Sequence, residues 1–559
     1  MPVHPIIAVG QFLRELTHIR KFRDAVHQPA AAQADKLMQI VAANRDTIFG
    51  KKHSFDKIRC VKDFQSSVPP ATYEDLLPYI EASMNGIPNQ LTAESPFMYA
   101  TTSGTTAAPK FIPITPSHLR DYTHAFQVHN YHMIKDYPEG AQGKYLIISS
   151  NDEEGRVPCG RPYGAVSGLL NKRQPGIIRR FFALPYELCK LKDVDVKYYL
   201  MLRMALAQNV TAILCCNPSS LLILSDQLRA HGAELVRDIR DGTIKSCYMP
   251  PAEISDAFTR QLRADPETAR RLDNVLSTHG QLLPRLVWPR MALLSCWKGG
   301  PMAFYLDQLP ALYGNVPVRD FGYMASEGRG SIPLTNEGAG GVVAVTSHFF
   351  EFVPEEAMEG GTPTYLTVEQ IEAGKRYYIH FTTAAGLYRY NINDLVEVVG
   401  FYEATPVIQF VRKGLGVSSI TGEKLTEEQV KVALSHATRQ LAVGQIKHFT
   451  ASVQLGSPPY YTCFAELEGE LPEPVRDGFV RVFDQSLQGQ NPEYQDKRAT
   501  RRLAAPRLVV VPAGTYTRLR QKRVSEGAPE AQVKIPLLSC RTEFGAQLEL
   551  LASAAGTGV

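Results

Sequence analysis

Between Tyr99 and Pro116 the chain reads YATTSGTTAAPKFIPITP, with hydroxyl residues crowded around Gly104 and a lysine, Lys110, six positions further on. Backbone amides and hydroxyls of such a loop can cradle phosphate oxygens while the lysine supplies a point charge, although a solvated turn has the same composition. The G-x-x-x-x-G-K-[ST] spacing is absent, so P-loop chemistry is not implied. A second segment, DFGYMASEGRG (Asp320 to Gly330), combines small residues that let a backbone approach a ligand with Glu327, a candidate for a divalent cation or else a carboxylate on a surface turn. In a third, GLYRYNINDLVEVVGFY (Gly386 to Tyr402), Asp394 precedes an alternating LVEVV strand. A carboxylate at a strand end can accept both hydroxyls of a ribose, and it can equally cap a turn. FVRKG (Phe410 to Gly414) and QVKIP (Gln532 to Pro536) add two further candidates, Lys413 and Lys534, either of which can equally be a merely solvated cation. HExxH, GxSxG and a strand-following GxGxxG are missing, which removes the local signatures of metalloproteases, α/β-hydrolases and dinucleotide-binding enzymes. His118, His124, His129 and His132 form a loose group expected to line a pocket or face solvent rather than bind metal.

The elements that would position these groups follow from periodicity. Apolar residues at helical spacing from Gln11 to about Ile48 predict two amphipathic helices. The β-rich runs Tyr145 to Ser149, Thr211 to Cys215 and Arg507 to Val511 alternate with helical stretches such as Asp195 to Gln208. That alternation predicts an α/β fold with a substantial, largely buried sheet. With 559 residues the chain exceeds one core's usual span, so two or more domains of unequal size are expected. The boundary is placed after Phe410, where VIQFV gives way to RKGLGVSS, a hinge or an ordinary loop. A formal charge of +4 with scattered basic residues gives no footprint for nucleic acid or an anionic membrane. Nine cysteines without a CxxC pair argue for reduced thiols, and no apolar run approaches the roughly 18 to 20 residues of a membrane span, so a cytoplasmic protein is expected.

Taken in order, the segments resemble those of the auxin-responsive acyl acid-amido synthetases, the Gretchen Hagen family within the acyl-adenylate-forming superfamily. The resemblance begins in VPPATYEDLLPYIEASMNG (Val68 to Gly86), continues through TSGTT with Lys110, MASE and GLYRYNINDLVEVVGFY, and ends in VVVPAGTYTRL and EGAPEAQVKIP. TSGTT replaces the more usual SSGTS, and Asn393 stands where plant members commonly have glycine, so the chain looks like a bacterial or otherwise divergent member. The resemblance implies a large N-terminal α/β domain of β-sheets flanked by helices (residues 1–411), a hinge (412–416) and a smaller, mobile α+β C-terminal domain (417–559). It implies ATP-dependent adenylation of a carboxylic acid, with Mg²⁺, followed by transfer to an amine such as an amino acid. Transfer to a thiol, or noncatalytic nucleotide binding, are the rival readings. By the same resemblance Ser103, Gly104, Thr105 and Thr106 would hold phosphates with Lys110 assisting, Ala325 and Ser326 would lie beside the nucleotide, and Glu327 would hold the metal. Asp394 would grip the ribose, Arg412 would belong to the hinge, and Lys534 would act in adenylation. Tyr122, Phe126, His129 and Tyr323 are the candidates for the acid pocket, or else core residues. The protein is expected to act as a monomer on small molecules.

Overall fold

The computed structural model describes residues 4–102, 110–191, 193–360, 362–414, 416–441, 446–467, 472–525 and 535–556. The described chain divides into two compact units, one made of the residues up to Thr102 and Phe111–Val411, the other of the residues from Arg412 onward together with Lys110.

The first unit carries three sheets rather than one. The largest has six strands in the order Ser331–Ile332, Gly341–Val343, Thr405–Lys413, Tyr390–Tyr402, Arg376–Thr382 and Phe349–Pro354. Its pairings are antiparallel where the register is defined, so its strands need only short connections. A parallel sheet of Lys144–Ile148, Val210–Cys215, Leu293–Ser295 and Val318–Arg319 is the α/β part. Its strands need helical crossovers, and the helix Val194–Ala205 supplies one with every residue from Tyr198 to Ala205 buried. The third sheet joins Lys110–Ile114, Met98–Thr102, Pro162–Gly164 and Gly155–Arg156. One apolar core lies around the antiparallel sheet and a second around the parallel one. The strands and the helix expected from the runs at Tyr145, Thr211, Arg507 and Asp195 are all present.

The N-terminal helical region holds two helical stretches, as the periodicity predicts, but the first begins at Pro5 and contains a π turn at Glu15–Ile19 before continuing as Arg20–His27. That turn seats His18 against His124, with the two Nδ1 atoms 2.8 Å apart.

In the second unit a sheet ordered Arg507–Val511, Tyr460–Leu467, Ile446–Gln454 and Leu538–Ser539 pairs its central strands antiparallel and its outer strands parallel. Helices Glu427–Gln440 and Glu473–Gln490 contribute Val430, Ala433, Phe479 and Phe483 to its core. Buried Glu423 accepts the amides of Ile420 and Thr421 at 2.8 and 2.7 Å and the hydroxyl of Tyr461, which fixes the first turn of the unit.

The segment from Val68 is tied to the Tyr390–Tyr402 strand by one buried arginine. Arg389, at a left-handed φ of +45°, donates Nε and Nη2 to Glu351 at 2.8 and 2.9 Å, and Nη1 to the carbonyls of Val68 and Gln65. Arg389 and Glu351 are 3% and 1% exposed, so removing one partner strands the other charge away from water. Glu351→Leu is expected to cost roughly 3–5 kcal/mol in urea unfolding. Adding Arg389→Met should recover only part of that, because the Val68 and Gln65 carbonyls also lose their donor. A loss below about 1 kcal/mol would show that the pair does not hold this unit together.

Candidate functional site

The strand Tyr390–Tyr402 is irregular where it matters. Tyr378 faces Leu395 but His380 faces Asn391, so Ile392, Asn393 and Asp394 share a bulge opposite Ile379. Bulges re-aim side chains. The bulge is turned by Asn393 at φ +58°, with its amide donating to Asn391 Oδ1 at 2.8 Å; asparagine tolerates this left-handed geometry better than most residues other than glycine. Asp394 therefore lies within a strand, not ahead of one, and does not cap a turn. It is 3% exposed, and the Tyr323 hydroxyl donates to its Oδ2 at 2.6 Å. The Tyr323 ring is stacked against Phe410 and tilted against Phe381, and burial followed by the Asp394 charge pushes its hydroxyl well above the usual tyrosine range. Tyr323 is thus a fixed donor that orients the carboxylate.

Glu327 is not on a surface turn. Ala325 pairs with Gly328 and Met324 with Arg329, which makes Ser326 and Glu327 the two-residue connection of a short hairpin. Glu327 is nonetheless only 4% exposed. The hairpin is held down on several sides. Tyr122 donates to the Ala325 carbonyl at 3.2 Å, the amides of Gly330 and Ser331 donate to the Tyr323 carbonyl, and Ser331 Oγ accepts the Tyr323 amide at 2.9 Å. At Gly330 a Cβ would come within 2.4 Å of the Tyr323 ring, so glycine is required for this approach. Asp320 braces the entry by accepting the amides of Lys298 and Gly322, and burial pushes its carboxyl up to about 6.

The charge of Glu327 bears on four tyrosines, Tyr73, Tyr122, Tyr323 and Tyr390, whose hydroxyls are all raised mainly by burial. Tyr73 in turn accepts the amide of Phe111 at 2.8 Å. The strand that follows residues 103–109, the Glu327 hairpin and the Asp394 bulge thereby come together around a few phenols. Three segments spread over nearly three hundred residues of sequence, from Lys110 to Asp394, form one neighbourhood with two buried carboxylates.

Of the other sequence candidates, Lys110 opens the strand Lys110–Ile114, and Ser326 follows Ala325 in the hairpin connection. Ser103, Gly104, Thr105, Thr106 and Lys534 lie outside the described residues. Arg412 and Lys413 belong to the strand Thr405–Lys413, and Arg412 donates to the Lys413 carbonyl. The strand thus runs three residues past Phe410, since a Val-Arg-Lys alternation continues the pairing pattern until Gly414. The acid-pocket candidates are closely packed: Tyr122 and Tyr323 make the bonds described, Phe126 lies 4.2 Å beneath the Arg329 guanidinium, and fully buried His129 stacks on Phe321. Arg329 and Arg389 were not singled out by sequence reasoning, because a single arginine in a motif carries no spacing signal.

The histidines of the helix Pro116–Asp136 do not face solvent as a group. Burial lowers His118 and His132 to about 4 and His124 to about 3, while His129 and His348 fall well below the usual range and His380 to about 4. These groups stay neutral in the fold, whereas the unfolded chain protonates them near pH 6.5. Their contribution to stability is therefore present above pH 6.5 and is lost as pH falls toward 4, about 3 kcal/mol for His118 alone. Asp320, raised to about 6, and Asp121, also raised by burial, work in the opposite direction, but they are two groups against six. The thermal midpoint is expected to fall steeply between pH 6.5 and 4.5; a flat profile would mean that these rings are hydrated.

Among the described residues no cluster of three or more His, Cys, Asp or Glu is placed to hold a metal ion, no disulfide is formed, and no helix is long and apolar enough to cross a membrane.

Comparison with known proteins shows the family of the chain. Residues 18–318 match the GH3 family N-terminal domain, 341–413 the GH3 family central domain and 428–543 the GH3 family C-terminal domain. A jasmonoyl–L-amino acid synthetase, JAR4 of Nicotiana attenuata, is 25% identical over 539 residues, covering 93% of this chain and 92% of its own. The indole-3-acetic acid-amido synthetase GH3.3 of Arabidopsis thaliana is 25% identical, covering 94% and 91%. Among solved structures, the AtGH3.15 acyl acid amido synthetase in complex with 2,4-DB superposes with a TM-score of 0.65 at 22% identity, covering 95% of both chains, which is a likeness of fold. The three matched domains together span most of the sequence, and the chain belongs to the GH3 family as an enzyme of the acyl acid amido synthetase class.

Proposed function

We propose that this enzyme uses ATP to convert a carboxylic acid to its acyl-adenylate and passes the acyl group to the amino group of an amino acid, with the Asp394 bulge and the Glu327 hairpin forming the floor on which the nucleotide lies. The observation that carries this reading is the buried Asp394 carboxylate held by the Tyr323 hydroxyl, with a second buried carboxylate, Glu327, whose charge bears on the same phenol. A carboxylate fixed by Tyr323 is an acceptor pair suited to the two hydroxyls of a ribose. Glu327 suits Mg²⁺, which takes one or two carboxylates and completes its shell with phosphate oxygens and water, and none of the described hydrogen bonds ends on the Glu327 carboxylate. When bound, the ion would screen the phosphate charge.

The reaction joins two anions, so the residues act by neutralising and aligning rather than by abstracting a proton. The acid's carboxylate oxygen attacks the α-phosphorus and pyrophosphate leaves. The amine nitrogen then attacks the acyl carbonyl carbon, AMP leaves, and the amine's proton passes to solvent. Ser103 to Thr106 and Lys110 are assigned to the phosphates, Ala325 and Ser326 to the edge of the nucleotide. Residues 412–416 are assigned as the hinge for a C-terminal domain that brings Lys534 to the phosphates during adenylation. Lys534→Ala should then depress pyrophosphate exchange at least tenfold while amide formation from preformed acyl-adenylate changes little. Equal losses in both assays would remove that assignment.

The test of the reading is ATP–pyrophosphate exchange with purified enzyme, Mg²⁺ and a panel of aromatic, indolic, fatty and hydroxy acids. Acid-dependent exchange is expected, and binding of ATP without exchange for any acid would contradict it.

A further inference from the structure

Arg329 is a fully buried cation that belongs to no described ion pair. Arg319 and Arg389, buried to a similar degree, meet Asp136 and Glu351. Its Nε donates to the Ser331 carbonyl at 3.2 Å and its Nη2 to the Phe321 carbonyl at 2.6 Å. Nη1 is buried with no hydrogen-bond partner among the described residues. The guanidinium plane lies over Phe126 at 4.2 Å, and the helix bearing Phe126 also presents Tyr122 and His129. A buried guanidinium with an unused donor costs several kcal/mol unless something anionic or strongly accepting completes it.

The groups that bear on Arg329 are Tyr122, Asp320 and Cys216, and neither Glu327 nor Asp394 is among them. His129 beside it is held neutral by burial and by the Arg329 charge itself. The surroundings are thus an aromatic wall with one cation whose Nη1 is not engaged by any described residue.

We propose that Arg329 determines substrate specificity by pairing, through Nη1, with a second anionic group at the far end of the acyl acid, so that the preferred substrates are dicarboxylic acids rather than plain fatty or aromatic monoacids. This rests on the amido synthetase reading. Two oxygens of a distal carboxylate would replace the missing partner, while the apolar spacer would lie along Phe126 and Tyr122 and leave the first carboxylate to be adenylated.

Straight-chain diacids from succinate to suberate and terephthalate, each with its matched monoacid, would be compared in ATP–pyrophosphate exchange. The wild type is expected to favour the best diacid over its monoacid by about 10- to 100-fold in kcat/KM, the effect of one charge-assisted hydrogen bond in a dry site. Arg329→Gln should abolish that preference, raising KM for the diacid while sparing the monoacid, and Arg329→Lys should restore part of it. A clamp that only braced Phe321 and Ser331 would lower both acids together. Equal use of both acids by the wild type, or a preference that survives in Arg329→Gln, would overturn the assignment and leave the amido synthetase reading intact. Absence of exchange with every acid would count against that reading instead. Calorimetric titration of the same diacids then decides for Arg329: binding by the wild type that Arg329→Gln loses supports it, and no binding of any diacid overturns it.

Discussion

Asp394→Ala is expected to lower acid-dependent pyrophosphate exchange by roughly 10²- to 10⁴-fold, with most of the loss in KM for ATP. The estimate follows from removing an ionised acceptor from two ribose hydroxyls, each such bond contributing about 1.5–3 kcal/mol. Asp394→Asn separates binding from folding. It keeps an acceptor for the Tyr323 hydroxyl and the volume of the bulge, so its thermal midpoint should match the wild type while its exchange remains about 10- to 100-fold down. Tyr323→Phe should have the milder effect, because it releases the carboxylate without removing it. If Asp394→Asn exchanged normally, the bulge would be a structural feature of the sheet with no part in holding the nucleotide.

The second large effect is expected at Glu327. Glu327→Gln preserves shape and hydrogen-bonding reach but cannot hold a divalent cation by charge. Exchange should fall roughly 10²- to 10³-fold and the Mg²⁺ concentration needed for half-maximal activity should rise. Glu327 is 4% exposed and none of the described hydrogen bonds ends on its carboxylate, so a neutral amide of the same shape is no harder to bury there. The variant is therefore expected to melt at or above the wild-type midpoint. An unchanged Mg²⁺ requirement would contradict the assignment.

Much of this was legible in the sequence because it is local. The runs at Tyr145, Thr211 and Arg507 became strands since β-branched and aromatic residues bounded by turn residues leave little choice, and the Thr405–Lys413 strand ends only two residues beyond the VIQFV run. The motifs around Glu327 and Asp394 were found for the same reason, as short strings of small and acidic residues. Their surroundings were not legible. A two-residue hairpin connection is normally wet, and only tertiary packing by Tyr122 and its neighbours buries Glu327. The three-against-one bulge at Asn393 depends on a partner strand, and periodicity within a single segment does not report partners. Arg329 and Arg389 look alike in the sequence; Arg389 is paired with Glu351 across 38 residues, whereas Arg329 belongs to no described ion pair and keeps a buried Nη1 without a described partner, a difference created by the fold. The π turn at Glu15–Ile19 was missed because it alters the helical period by a single residue.

The central claim is tested most directly by product analysis. Purified enzyme would be incubated with ATP, Mg²⁺, an acid that supports exchange, and a mixture of amino acids with coenzyme A present in parallel, and the products identified by mass spectrometry. N-acyl amino acid formed in equal amount with AMP and pyrophosphate is the result the account predicts; a thioester in place of the amide, or ADP in place of AMP, would contradict it.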